Sequence, residues 1–92
     1  MKKSESLANT IRGMGGTCMF FPKPRHTVLL ETTGEGVAVS LDIFPEGYED
    51  AEPIESRTEN FGGLEEALER FTIDGKPLCE CGGEPTAPFI PA

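Results

Sequence analysis

The stretch His26-Thr-Val-Leu-Leu-Glu-Thr-Thr-Gly-Glu-Gly-Val-Ala-Val-Ser-Leu-Asp-Ile-Phe44 decides the fold. Its second half alternates: Val37, Val39, Leu41 and Ile43 fall on one side, Ala38, Ser40 and Asp42 on the other. A period of two is the signature of a half-buried strand. In its first half, His26 to Thr33, Val28 and Leu30 share a face. Gly34-Glu35-Gly36 separates the two runs. Two β-type runs around a short glycine-rich connection predict an antiparallel hairpin.

Upstream, Thr17 to Phe21 is an apolar run bounded by Gly16 and Pro22. It reads as a strand that Pro22 and Pro24 break off, because neither proline donates to a ladder. Before it, Leu7, Ile11 and Met14 recur at i, i+4 and i+7. That spacing predicts a short N-terminal helix, with Ser4 as its cap, Glu5 in its first turn, and Gly13, Gly15 and Gly16 ending it.

Downstream, residues 45–60 read as an acidic loop, with a short extra strand around Ile54, Ser56 and Thr58. Leu64, Ala67, Leu68 and Phe71 then mark one face of an amphipathic helix. Glu65, Glu66, Glu69 and Arg70 lie on its outer face, with Glu66–Arg70 an i,i+4 ion pair. Asn60 is the expected cap, Gly62 and Gly63 the entry turn, and Asp74-Gly75 the closing turn. Residues 76–92 read as a Cys-x-Cys strand or knuckle followed by an extended, proline-rich tail in which Phe89 and Ile90 dock on the domain.

These elements predict one α+β domain. Residues 1–16 form the helix and linker, 17–44 the strands, 45–60 the acidic loop, 61–75 the second helix and 76–92 the turn and tail. The sheet is mostly antiparallel, with three to four strands and the amphipathic helix on one face. The predicted core is Leu7, Ile11, Val28, Leu30, Val37, Val39, Leu41, Ile43, Leu64, Leu68 and Phe71. Phe20, Phe21, Phe44 and Phe61 lie near element ends, with Phe44 on the outward register of its strand.

Composition agrees with a small core. Leu, Ile, Val and Phe supply 21 of 92 residues, about 23%, just above the ~20% below which charged chains stay unfolded. Gly and Pro supply 19, where ~12% of the chain would be usual. Below about 100 residues such a core is marginal, so a partner, a metal or a homodimer interface is expected to add stability. No run approaches the ~18 apolar residues of a membrane span. Lys2 and Lys3 lack the apolar stretch that a signal peptide needs after them. Three cysteines, an odd number, do not make the even framework of a small secreted domain. A cytoplasmic location follows as the expectation.

Charge is the most informative feature. The formal net charge is −8, and it is uneven. Lys2, Lys3, Arg12, Lys23 and Arg25 face only Glu5 in residues 1–30, whereas residues 31–92 carry 15 acids against Arg57, Arg70 and Lys76. Glu46, Glu49, Asp50, Glu52, Glu55 and Glu59 crowd into residues 46–59. With Glu65, Glu66 and Glu69 they are the candidate partner-binding residues: a carboxylate face that docks on a basic surface of another protein. If folding aligns them, such carboxylates imitate the row of phosphates that nucleic acid presents every ~3.4 Å. In size and charge the chain resembles the small acidic inhibitors carried by phages and mobile elements, anti-CRISPR proteins among them. That resemblance is compositional and implies a non-catalytic inhibitor.

The alternative is a small zinc-stabilised structural domain. Cys18, His26, Cys79 and Cys81 are its soft ligands, although one residue between Cys79 and Cys81 is tighter than the usual two to four. A redox pair is disfavoured by Glu80 and Glu84, which oppose a thiolate. Cys18 and His26 form a nucleophile–base dyad only if the fold joins them. Gly13-Met14-Gly15-Gly16 follows a helix and precedes a strand, the wrong order for a dinucleotide loop. Lys23 to Arg25 beside Phe20, Phe21 and His26 resemble a base-stacking platform, but the net charge repels phosphates. The expectation is therefore no enzyme, no cofactor, no direct nucleic-acid binding and no membrane contact.

Overall fold

A computed structural model of the chain describes residues 2–45 and 52–87. Four strands form one antiparallel sheet in chain order: β1 (Thr17–Phe20), β2 (His26–Thr33), β3 (Gly36–Ile43) and β4 (Glu55–Phe61). Helices α1 (Lys3–Gly13) and α2 (Leu64–Arg70), a small hairpin β5 (Thr72–Ile73) and β6 (Lys76–Pro77), and a single turn α3 (Leu78–Cys81) complete the domain. The α+β architecture read from the sequence is the one observed.

Register follows from hydrophobic alternation. Val28 stands opposite Leu41, and Leu30 opposite Val39. Cys18 and Phe20 extend the same rows onto β1. All six side chains are buried. A slip of one residue would turn every one of them to the other face, so the buried face holds the register. Thr33 tightens the β2–β3 turn: its Oγ1 accepts from the Glu35 N–H and donates to the Gly36 carbonyl, both at 3.2 Å. Gly36 has φ +147°, and a Cβ there would overlap the carbonyl oxygen of Phe61 on β4. Only glycine fits this approach.

Against the buried sheet face pack Ala8 and Ile11 of α1, Leu64, Ala67 and Leu68 of α2, and Phe71, Ile73, Leu78 and Cys79 that follow. Nine of the predicted core residues are buried; Leu7 and Ile43 are half-buried at its margin. The alternation and the helical spacing did not mark Ala8, Cys18, Ile73, Leu78 or Cys79. Burying these residues away from water is the main favourable term for the fold, about 25 cal/mol per Å² of apolar surface.

Several local expectations change. Ser4 is not the cap of α1. It lies inside the helix and is buried, while Lys2 occupies the cap position with no side-chain cap bond. Helix α1 ends where Gly15 and Gly16 take left-handed φ values of +90° and +85°, a conformation that glycine adopts without steric cost. The Gly16 N–H donates to Ile11 O at 2.9 Å, and Gly16 O accepts from Thr32 at 3.0 Å. Asn60 does not cap α2. It pairs with Ala38 in the sheet, and Gly63 is the cap. The Glu66 carboxylate reaches back past the cap to accept from the Gly62 N–H at 3.0 Å. Asp74 and Gly75 both have positive φ, +53° and +81°, as a tight hairpin turn requires. Lys76 to Cys81 is a two-residue strand followed by a helical turn. Thr86 bridges Met19 through backbone bonds of 2.7 and 2.8 Å. Phe89 and Ile90 lie outside the described residues.

The extra strand suggested by Ile54, Ser56 and Thr58 is a full edge strand. Sequence periodicity understated it because only Phe61 reaches toward the core. Pairing with β3 supplies the rest: Ser40 Oγ and Thr58 Oγ1 lie 3.1 Å apart, and Ser56 Oγ donates to Asp42 Oδ1 at 2.7 Å. Cross-strand polar pairs of this kind contribute about 0.2–1 kcal/mol each.

Candidate partner-binding surface

The sheet has two unlike faces. By alternation, β4 turns Glu55, Arg57, Glu59 and Phe61 to the helical side, in rows with Ile43, Leu41, Val39 and Val37. Ser56, Thr58 and Asn60 turn to the open side, in rows with Asp42, Ser40 and Ala38. Residues Glu55 to Asn60 are all exposed. Helix α2 packs on the helical side, so its outer face and the helical side of β4 carry most of the described candidate carboxylates.

Their electrostatic states differ. Arg12 of α1 grips Glu65 with two hydrogen bonds from one nitrogen, 2.8 Å to Oε1 and 2.9 Å to Oε2. The Glu65 carboxyl is held below its ordinary 4.5, first by the hydrogen bond from Arg12. Lys2 lies 3.8 Å from Glu69, and Arg70 lies 3.7 Å from Glu66. Arg57 Nε lies 3.4 Å from Glu59. Thus the basic opening segment folds back on the acidic helix and neutralises Glu65 and Glu69. Exposed pairs of this kind add about 0–1 kcal/mol each, but they remove charge from the face that the sequence nominated.

Glu52 and Glu55 are different. Both are exposed, and neither pairs with Lys or Arg among the described residues. Glu46, Glu49 and Asp50 lie outside the described residues. The remaining described acids are dispersed: Glu5 in α1, Glu31 on the open face of β2, Glu35 in the β2–β3 turn, Asp42 on the open face of β3, Asp74 beside Lys23 in the β5–β6 turn, Glu80 in α3 and Glu84 beyond it. Within the described candidate set, the acids without a Lys or Arg partner are therefore Glu52 and Glu55, just before and at the start of β4.

The soft ligands do not meet. Among the described residues no three His, Cys, Asp or Glu side chains converge as metal ligands. Cys18 is sealed in the core under β1, where burial pushes its thiol up to about 11. Cys79 is buried in α3, and its thiol is also raised, first by burial and then by Glu80. Cys81 is half-buried, with its sulfur 3.6 Å from the Lys76 carbonyl oxygen. His26 starts β2 opposite Ile43 and places Nδ1 2.9 Å from the Pro24 carbonyl oxygen. That oxygen only accepts, so the contact puts the proton on Nδ1. Among the described residues, the fold therefore does not bring Cys18, His26, Cys79 and Cys81 together as a ligand set.

A cleft of about 390 Å³ lies between the β2–β3 turn and the entry to α2, lined by glycines and Arg12. Of its two charged lining residues, Arg12 is held by Glu65, and Glu35 has no Lys or Arg partner among the described residues. No helix among the described residues is long and apolar enough to cross a membrane. Comparison of the chain with protein-family models, curated proteins and solved structures returned no match.

Proposed function

We propose that the chain is a non-catalytic protein-binding module that docks on a basic surface of a partner protein through the acidic start of β4. The observation that carries this reading is a contrast among the candidate carboxylates. Glu65, Glu66, Glu69 and Glu59 are matched by cations of the same chain, whereas Glu52 and Glu55 are exposed and unmatched among the described residues. Unmatched exposed carboxylates steer a basic partner into encounter, and they lose little hydration until docking. Occlusion of the partner's basic surface is then the activity.

The strict nucleic-acid-mimic version draws less support. Arg57 interrupts the row between Glu55 and Glu59. At ~3.4 Å per residue those carboxylates stand about 14 Å apart along the strand. That is some four times the ~3.4 Å phosphate rise. A basic protein surface in general fits this spacing better than a site built for consecutive phosphates.

The test uses a lysine-rich peptide as the probe, with affinity measured at low and high salt. Glu52→Lys with Glu55→Lys is compared against Glu31→Lys with Glu35→Lys, which changes net charge equally on another part of the surface. Binding is expected to weaken with salt and to fall about tenfold or more only in the first variant. Equal loss in both variants, or binding indifferent to salt, defeats the reading.

A further inference from the structure

The two edges of the sheet are not equivalent. Beside β1, Thr86 pairs with Met19 through two backbone hydrogen bonds. Beside β4, no strand lies on the outer side among the described residues. An edge of this length, exposed from Glu55 to Asn60, presents a row of N–H and C=O groups ready to accept another strand. Proteins commonly blunt such an edge with charges, and β4 carries three on one side: Glu55, Arg57 and Glu59. Their order gives them a second property. About Thr58 the strand is self-complementary: Arg57 and Glu59 flank it with opposite signs, and Ser56 and Asn60 flank these with small polar groups.

We propose that the chain forms a two-fold homodimer by antiparallel pairing of β4 with β4 of a second copy, with the axis at Thr58. In this register Arg57 stands opposite the partner's Glu59, and Glu59 opposite the partner's Arg57. Ser56 meets the partner's Asn60, and Thr58 meets itself. Residues directly opposite in an antiparallel pair share a face, so each ion pair forms on the helical side. Neighbouring registers are penalised. An axis at Arg57 sets Arg57 against itself and Glu55 against Glu59 twice; an axis at Glu59 sets Glu59 against itself. Like charges directly opposite are destabilising. An axis at Ser56 also opposes Glu55 and Arg57 but pairs only residues 55–57 of β4, whereas the axis at Thr58 pairs all of 55–61, so charge and strand overlap together select the register at Thr58. That selectivity matters for a chain whose net charge of −8 opposes self-association elsewhere on its surface. The product is a continuous eight-stranded sheet with both helical layers on one side. This inference does not rest on the docking reading, and Glu52 lies outside the pairing.

Sedimentation equilibrium of the full chain provides the test. The mass is expected to rise with concentration from 9.9 kDa toward twice that value. Glu59→Arg puts two cations opposite each other at both ion-pair positions, and the protein is expected to stay monomeric while retaining its circular dichroism spectrum. The exchange Arg57→Glu with Glu59→Arg restores opposite signs and is expected to restore the dimer. Should that double variant fail to fold, cross-linking in a Cys81→Ser background decides independently. Thr58→Cys is expected to form a disulfide dimer on oxidation, because opposed strand residues lie within disulfide reach. Ser56→Cys is expected not to, because its two copies lie four residues apart, about 14 Å. A monomer at every concentration, a dimer that survives Glu59→Arg, or cross-linking at Ser56 in preference to Thr58 overturns the proposal.

Discussion

The guanidinium carbon of Arg57 lies 4.5 Å from the centre of the Phe71 ring. Phe71 is fully buried and meets Phe61 edge-on, with ring centres 6.5 Å apart and planes at 83°. Arg57 also donates from Nη2 to the Thr72 carbonyl oxygen. One side chain of the edge strand therefore covers the aromatic pair and ties β4 to the segment that leaves α2. A cation over a ring is worth about 0.5–2 kcal/mol, and its hydrogen bond to a carbonyl adds to that.

Arg57→Ala is accordingly expected to lower stability by about 1–3 kcal/mol in urea denaturation. Arg57→Met keeps much of the apolar stem but neither the charge nor the donor, and should recover only part of the loss. Equal stability of Arg57→Met and the parent chain would show that packing of the stem accounts for the contact.

The Arg12–Glu65 pair predicts an acid response. Hydrogen bonding from Arg12 lowers the Glu65 carboxyl from its ordinary 4.5. For a lowered acid, the stabilisation is present above the unfolded value and is lost as pH falls through the folded value. Stability of the parent chain should therefore decline below about pH 4.5 more steeply than that of Glu65→Gln, which has no proton to take up. Thermal melts across pH 3 to 7 measure the difference. Because the pair is substantially exposed, the difference should shrink in high salt. Parallel pH profiles would remove Arg12–Glu65 from the acid response.

The thiols should differ in reactivity. Cys18 is buried and its thiol is raised from 9.0 to about 11, whereas Cys81 is half-buried. At pH 8 a thiol-specific reagent should label Cys81 first and Cys18 only as the domain opens, since the thiolate is the nucleophile. For Cys18 the folded value lies above the unfolded one. Its stabilising preference for the neutral thiol is complete below about pH 9 and is lost as pH rises toward about 11. Stability should decline across that window, and Cys18→Ala should flatten the decline. Prompt labelling of Cys18 in the folded chain would contradict its sealed position.

Much of this fold is legible in one dimension. The alternation from Val37 to Ile43, the glycine-rich turn before it and the 3.6-residue spacing of Leu64, Ala67 and Leu68 each depend on local geometry, and each appears where the pattern puts it. Strand β4 was only faintly legible, because an edge strand held by backbone pairing and polar cross-strand contacts needs little hydrophobic period of its own. Asn60 and Ser4 show the same limit from the other side. Both have good capping chemistry, yet sheet pairing places Asn60 in β4 and core packing draws Ser4 inside α1.

The candidate surface divides along the same line. That acids outnumber cations two to one, and that they crowd between residues 46 and 69, are facts of composition and order that the chain alone determined. Which of them keep an unmatched charge was decided only in three dimensions. Lys2 and Arg12 lie more than fifty residues away from Glu69 and Glu65 in the chain, and no local pattern announces that α1 will lie beside α2 and lend them its cations. Coulomb attraction depends on separation in space, and separation in space is a property of the packed core.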